Sequence, residues 1–339
     1  MTFLAFLFVA AFSSAASFPI GIYGVNDPAD LPVLQDAGFT AVQTYAGPGT
    51  ILPLAKAAER RGISLLAHPF ELMKSTVPAE GLPIAAWYLV DEPDVQKMPP
   101  DKLKKLDQQV RAWAPQHKTA FVVGDGRTAK TYADSGDILM VDWYPVPHLP
   151  LTSAGEHVRY TVEAAKGKPV WAVLQAMDWR WYPQRNPKKP RIGRFPTIAE
   201  LRFMSYHSIL EGASGLWYFT WDRRLSDAPE LWSVVIAVTR ELSSLRPVLE
   251  DGEPIALPFK KPLHKLMRAK AWKHRSKDYV LLLNTSPNTA LLMPKELLGE
   301  RWRPLFEKRR YVRELLMDSN GAYYLRPLQF LLLEGAGVS

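Results

Sequence analysis

The stretch Trp87-Tyr88-Leu89-Val90-Asp91-Glu92-Pro93-Asp94 opens as an apolar run and ends abruptly in three carboxylates around a proline. A buried parallel strand has this composition where it leaves a barrel core for a polar cleft, because both its faces are covered until its last residues. Pro93 cannot continue a central strand, so it marks where the strand stops. Glu92 then stands at the strand mouth with Asp91 beside it. Asp-Glu-Pro-Asp is equally good turn chemistry, so the flanking sequence has to decide.

Outward from that stretch, apolar runs alternate with helical segments. Upstream, 18–25, 40–45 and 63–69 are strand-like, and the amphipathic segments 30–37 and 51–61 between them are closed by Gly38 and Gly62. The run that reaches the carboxylates is 84–90. Downstream, Pro100 and Asp101 start a helix whose Leu103, Leu106, Val110 and Trp113 share one face. Runs at 119–123, 138–141, 169–175 and 216–221 complete eight strands, with helices at 156–165, 198–212 and 229–245. Eight alternations in about 230 residues predict an α/β fold of the (β/α)8 TIM-barrel type. The alternative is an open doubly wound sheet. Against it, Gly21 and Gly24 lack the spacing of a dinucleotide-binding loop, and no other phosphate loop follows a strand.

Beyond residue 253 the pattern changes to short strand-like runs at 263–272, 279–283, 291–293, 311–317, 323–325 and 328–333. Asn284-Thr285-Ser286-Pro287-Asn288 and Asp318-Ser319-Asn320-Gly321 are strong turn signals, and no long helix intervenes. A small C-terminal antiparallel β-sandwich at 253–339 is therefore expected after a barrel at 17–252. Residues 1–12 are almost wholly apolar and are followed by small residues at Ser14 and Ala16, the pattern of a signal peptide at 1–16 and of a secreted or periplasmic protein. The apolar run is shorter than the roughly 20 residues a membrane span needs.

The 339 residues are 47% hydrophobic and 22% charged, enough for a large core. The absence of cysteine excludes disulfides, thiolate metal sites and cysteine nucleophiles. The net charge of +8 is unevenly placed, because residues 259–339 hold 16 Lys and Arg against 7 Asp and Glu. That basic surface is a solvated face or an attraction for anionic polymers. No nucleic-acid-binding module accompanies it, so nucleic acid is not an expected partner. The seven histidines are scattered without metal-ligand spacing, so neither metal nor cofactor is expected.

Barrel chemistry collects at the C-terminal ends of the strands. Here the ends carry Tyr23 and Asn26, Tyr45, His68 and Glu71, Asp91 and Glu92, and Asp125. They continue with Asp142, Trp143 and Tyr144, then Gln175, Asp178, Trp179 and Trp181, and finally Trp221 and Asp222. Taken singly, each has a structural explanation; the recurrence at all eight ends is what points to a site. Sugars present flat C–H faces that pack on aromatic rings and hydroxyls that bind carboxylates and amides. Glycosidic cleavage usually needs two carboxyl groups, one of them protonated. Asp91 beside Glu92, with an apolar wall, would raise a carboxyl pKa.

On these residues the chain resembles the (β/α)8-barrel glycoside hydrolases, in particular the clan with its acid/base Glu at the end of strand four. Val90-Asp91-Glu92-Pro93 is similar to that position, with Asp91 where the clan commonly has Asn, and the resemblance in strand order covers about residues 18–250. It implies an enzyme acting on a poly- or oligosaccharide with Glu92 as general acid and Asp91 as its modulator. It also implies a second Glu ending strand seven. Lys168-Pro169-Val170-Trp171-Ala172-Val173-Leu174-Gln175 has an amide there, which cannot form a glycosyl-enzyme ester. An inverting reaction using Asp142, Asp178 or Asp222, or a substrate-assisted one using Asp91-Glu92 with Tyr144 and Trp221, is then expected over the ordinary retaining one. A non-catalytic carbohydrate-binding barrel and a metal-free lyase are the alternatives. The catalytic candidates are Glu92, Asp91, Asp142 and Asp222. The sugar-binding candidates are Tyr23, Tyr45, His68, Trp143, Tyr144, Gln175, Asp178, Trp179, Trp181 and Trp221.

Overall fold

The computed structural model describes residues 18–182, 192–221, 228–306 and 315–337. The expected signal peptide, Asp222 and the first part of the strand-like run 311–317 lie outside the described residues. The first part of the chain runs β1 (Ile20–Ile22), α1 (Leu31–Asp36), β2 (Ala41–Thr44), α2 (Ile51–Glu59), β3 (Ser64–Ala67), α3 (Phe70–Met73), β4 (Ile84–Asp91) and α4 (Pro100–Trp113). It continues through β5 (Thr119–Val123), α5 (Ala129–Tyr132), β6 (Ile138–Trp143), α6 (Ser153–Ala165), β7 (Val170–Gln175), α7 (Ile198–Leu210), β8 (Gly215–Phe219) and α8 (Pro229–Asp251). The eight strands pair in sequence order into a closed barrel, all parallel, with β8 returning to β1 through Ile20↔Leu216 and Ile22↔Tyr218. That closure confirms the TIM barrel and rules out the open sheet.

The strands read as continuous apolar runs because both faces are buried. Outward residues such as Val42, Leu65, Trp87, Leu89, Phe121 and Leu139 pack beneath the helices. Inward residues such as Ala41, Leu66, Ala86, Tyr88, Ala120 and Met140 fill the barrel. Two indoles, Trp171 and Trp217, meet inside it at 5.4 Å between ring centroids. They fit because β1 and β8 supply glycine opposite them. A Cβ on Gly21 would lie 2.2 Å from the Trp217 ring, and one on Gly215 would lie 2.6 Å from the Trp171 ring.

On α4, Leu103 and Val110 are buried as the spacing predicts, and Trp113 packs on Trp87 at 5.1 Å. Asp107 is buried as well, taking a hydrogen bond from Thr119 Oγ1 and an ion pair from Arg111, which ties the helix to β5.

The remaining strands are β9 (Glu253–Pro254), β10 (Met267–His274), β11 (Lys277–Asn284), β12 (Leu291–Leu292), β13 (Trp302–Pro304), β14 (Leu316–Met317), β15 (Tyr323–Leu325) and β16 (Phe330–Ala336). They form a five-stranded sheet, β13-β16-β11-β10-β9, and a three-stranded sheet, β12-β15-β14, both antiparallel. One apolar cluster joins the two sheets, with Val280, Leu282 and Leu333 from the first and Leu291 and Leu325 from the second. The other face of the larger sheet, including Leu281, Leu283 and Leu332, belongs to the same core as the barrel helices. Phe330 stacks on Tyr206 of α7 at 4.2 Å. Among the described residues no helix is long and apolar enough to cross a membrane.

Candidate active site

A cleft of about 230 Å³ opens at the C-terminal mouth of the barrel. Asp91, Glu92 and Asp142 bring carboxylates to it; Tyr23, Tyr144, Trp179, Tyr182 and Phe219 bring aromatic rings; Val122, Val173 and Met177 supply apolar surface. A larger cavity, about 610 Å³, lies at the seam between α7, α8 and β16, away from the strand mouths. Its Arg202 and Glu200 are already engaged in ion pairs with Glu241 and Arg194.

The end of β4 builds one side of the cleft through an irregularity. Tyr88 pairs with Ala120 and Asp91 with Val122, so three steps on β4 run against two on β5. Strict alternation from Tyr88 would turn Val90 inward and Asp91 outward. The extra residue instead leaves Val90 against the outer core and puts Asp91 on the face of Tyr88, as β-bulges re-aim side chains. The Tyr88 hydroxyl donates to Asp91 Oδ1 at 2.6 Å and holds that carboxylate in place. Glu92 follows with φ of 44°, a left-handed conformation, and its N–H donates to the Val122 carbonyl at 3.0 Å. Its carboxylate lies over Gly124, where a Cβ would come 2.9 Å from Glu92 Oε1. Asp94, the third carboxylate, is structural. It accepts from the backbone N–H of Gly124 and Asp125, each at 3.0 Å, and from Thr128 Oγ1 at 2.9 Å, clamping β4 to β5.

Asp142 enters from β6. It is 9% exposed, and its Oδ1 is buried without a hydrogen-bond partner. Burial, then the charges of Glu92 and Asp91, push its pKa well above the usual carboxylate range; the Tyr144 hydroxyl acts in the opposite sense. Asp142 is thus a cleft carboxyl whose surroundings favour its protonated form. Tyr23 Oη, near Tyr88, is likewise buried without a partner at hydrogen-bonding geometry. Phe219 forms the centre of the aromatic wall, stacked on Tyr144 at 5.4 Å and on Tyr182 at 6.1 Å, with Tyr23 edge-on at 5.8 Å.

Beside Asp91, the β2 and β3 ends carry a second aromatic surface. Tyr45 is 58% exposed and stacks on His68 at 5.1 Å, and His68 meets Tyr88 edge-on at 4.9 Å. Gln43 Oε1 accepts the Gly24 N–H at 3.0 Å, so its amide nitrogen faces His68 Nε2 at 3.3 Å. That amide orientation assigns Nε2 as acceptor and places the ring proton on Nδ1. Burial lowers the His68 pKa against the opposing pull of Asp91, consistent with a neutral ring.

The structure therefore brings Glu92, Asp91, Asp142, Tyr23, Tyr144 and Trp179 into one cleft, with Tyr45 and His68 adjoining. Five expected site residues are placed elsewhere. Trp143 faces away from the cleft, stacking on His157 at 3.6 Å and donating to Ser153 Oγ at 2.8 Å. Gln175 is fully buried: Oε1 accepts the Val146 N–H at 2.8 Å, while Nε2 donates to the carbonyls of Val146 at 2.8 Å and Met177 at 3.2 Å. Asp178 is buried under Arg180, accepting its N–H at 2.8 Å and its Nε at 2.9 Å. Trp181 packs edge-on to Phe195 at 5.3 Å. Trp221 donates to Asp30 Oδ2 at 2.9 Å and packs on Trp232 at 5.0 Å. Phe219 and Tyr182 were not anticipated. Counting the inward alternation Gly215, Trp217, Phe219 along β8 would have found the first.

No protein-family model and no curated protein matches the sequence. Solved structures do match it. The chain is similar in fold to (β/α)8-barrel glycoside hydrolases. An α-amylase from Geobacillus thermoleovorans complexed with acarbose aligns at a TM-score of 0.54 and 14% identity, covering 95% of this chain and 99% of that one. Eubacterium rectale Amy13B aligns at 0.56 and 9% identity, covering 95% and 96%. A GH30 endoxylanase from Clostridium papyrosolvens aligns at 0.50 and 11% identity, covering 95% and 97%. On this barrel the cleft combines a carboxyl group of raised pKa with two further carboxylates and a wall of aromatic rings, a set of groups able to donate and accept protons. Among the described residues no group of three or more His, Cys, Asp or Glu side chains is arranged to hold a metal ion.

Proposed function

We propose that the protein is an exported glycoside hydrolase acting on a poly- or oligosaccharide, with Asp142 as the general acid and Glu92 as its partner base or nucleophile. The observation that carries this is Asp142 on the cleft wall, a buried carboxyl whose Oδ1 has no partner and whose pKa is raised by burial and by the charges of Glu92 and Asp91. That raised pKa is the ground for giving Asp142 the acid's role. In the proposed reaction the Asp142 proton passes to the glycosidic oxygen as the C–O bond breaks, leaving Asp142 ionised. Glu92 activates water or attacks the anomeric carbon. The Tyr144–Phe219 surface stacks on a sugar face. Gln175 takes no part, because its amide is committed to Val146 and Met177. The apolar opening with Ser14 and Ala16 supports export.

A glycan panel digested with wild type, Asp142→Asn and Glu92→Gln tests the proposal. Cleavage by wild type that falls roughly 10²–10⁴-fold in each variant is expected. Because the acid must be protonated, cleavage should also decline as pH rises through the raised Asp142 pKa. Sugar binding without cleavage by any form would establish the non-catalytic alternative instead.

A further inference from the structure

In a regular strand, residues three apart point to opposite faces. Tyr88 and Asp91 nevertheless share the inner face, because the extra residue at the end of β4 turns Asp91 toward the cleft. The Tyr88 hydroxyl meets it there and donates to Asp91 Oδ1 at 2.6 Å. Gln96 Nε2 holds the same residue at its backbone by donating to the Asp91 carbonyl. Asp91 is an exposed residue, and an exposed aspartate left to itself turns its carboxylate to water. Tyr88 is 1% exposed, with Tyr23 and His68 edge-on to its ring. A phenylalanine would fill that volume as well, so packing does not account for the hydroxyl. Burial pushes that hydroxyl well above the usual phenol range, so it remains a donor. The other titratable groups that face Asp91 are Tyr23 from β1, Tyr45 and His68 from the ends of β2 and β3, and Asp142 and Tyr144 from β6. Asp142 in turn meets Glu92, Asp91 and Tyr144.

We propose that Tyr88 is a positioning residue of this site: its hydroxyl fixes the Asp91 carboxylate on the cleft side of β4, where its negative charge acts on Asp142. The inference rests on the glycoside hydrolase proposal, to which it adds the residue that, through Asp91, sets the pH range over which the Asp142 acid keeps its proton. With the hydroxyl gone, Asp91 can swing toward water. The like charge then recedes from Asp142, which gives up its proton at lower pH. Because Asp91 is exposed, water screens part of the effect.

Carbon-13 NMR titration of the aspartate carboxyls in the full chain tests this without a substrate, the Asp142 signal being assigned by its loss in Asp142→Asn. Tyr88→Phe should lower the Asp142 midpoint by roughly 0.5–1 pH unit. Asp91→Asn should lower it at least as far, and adding Tyr88→Phe to Asp91→Asn should lower it no further. An unchanged midpoint in Tyr88→Phe would overturn the inference. So would an equal drop from Tyr88→Phe on top of Asp91→Asn, because the hydroxyl would then act on Asp142 without Asp91. With any glycan that wild type cleaves, the decline of kcat/KM at rising pH should move down by the same amount in Tyr88→Phe; a decline that stays in place would also overturn it. Should wild type cleave no glycan, the glycoside hydrolase proposal falls while the titration still decides the role of Tyr88. If Tyr88→Phe does not fold by circular dichroism, Tyr88→Met, which removes the hydroxyl with a more adaptable side chain, is titrated in its place against the same outcomes.

Discussion

Burial and the charges of Glu92 and Asp91 hold the Asp142 carboxyl above its ordinary range, and that shift has a definite sign in stability. The folded protein binds the proton more tightly than the unfolded chain, whose Asp titrates near about 3.9. The associated stability is therefore full below that pH and is lost as pH rises through the folded-state value. Asp142→Asn keeps the shape without the ionisation. It should raise the melting temperature at pH 7, leave it nearly unchanged at pH 3, and lower cleavage by the roughly 10²–10⁴-fold expected for loss of a general acid; a lower melting temperature at pH 7 would contradict the assignment. Gln175 offers the opposite lesson. Gln175→Glu resembles restoration of a nucleophile, but it would turn an acceptor-only group toward the Val146 and Met177 carbonyls. A loss of roughly 2–4 kcal/mol in urea unfolding is expected, with no gain of turnover. The amide at position 175 could be read from the chain, but its engagement could not. It depends on the loop after β6 folding back over the end of β7.

At the scale of the element, β4 shows how a correct strand can still misplace its side chains. The apolar run and the stop at Pro93 were legible because burial and proline geometry act locally. The extra residue between Tyr88 and Asp91 was not, since a bulge exists only relative to a partner strand. It brings Asp91 into the cleft and leaves Glu92 resting over the end of β5. Gly124→Ala probes that arrangement. The added methyl would stand 2.9 Å from Glu92 Oε1 and 2.8 Å from Val95 Cγ2, so the Glu92 carboxylate must move. Turnover should fall by about 100-fold, as expected when a reacting group is displaced by about an ångström. Stability should change by no more than about 2 kcal/mol. Unchanged turnover would mean that the position of Glu92 over Gly124 is immaterial. The indoles at strands seven and eight make the same point from another direction. Trp181 and Trp221 sit at the expected ends, yet they turn toward Phe195 and Asp30, and Phe219 fills the cleft.

For the whole molecule, the barrel was readable because its signal is repeated: eight apolar runs of strand length, most of them separated by a segment able to form a helix. The two antiparallel sheets were readable from turn chemistry, although β13 at Trp302–Pro304 is too short to stand out. How the parts join was visible only indirectly, in an α7 that buries Leu201, Phe203, Met204, Tyr206, Ile209 and Leu210 around most of its circumference. A barrel helix with solvent on its outer side would be amphipathic; α7 is apolar on that side because β16 and β10 cover it. Phe330 stacks on Tyr206, Lys270 Nζ donates to the Ile209 carbonyl at 2.9 Å, and Arg268 Nε donates to Glu211 Oε1 at 2.9 Å. With Leu281, Leu283 and Leu332 in the same core as the barrel helices, the sheet and the barrel should unfold together. Calorimetry of the full chain is expected to show one transition, and truncation after Gly252 should yield an aggregating barrel because α7 loses its cover. Phe330→Ala should lower stability by about 2–3 kcal/mol, less than a fully buried phenylalanine would, without splitting the transition. Two separated transitions in the full chain, or a soluble truncated barrel with an unshifted melting temperature, would show instead that the sheets are an independent appendage and that the apolar outer face of α7 is stable without them.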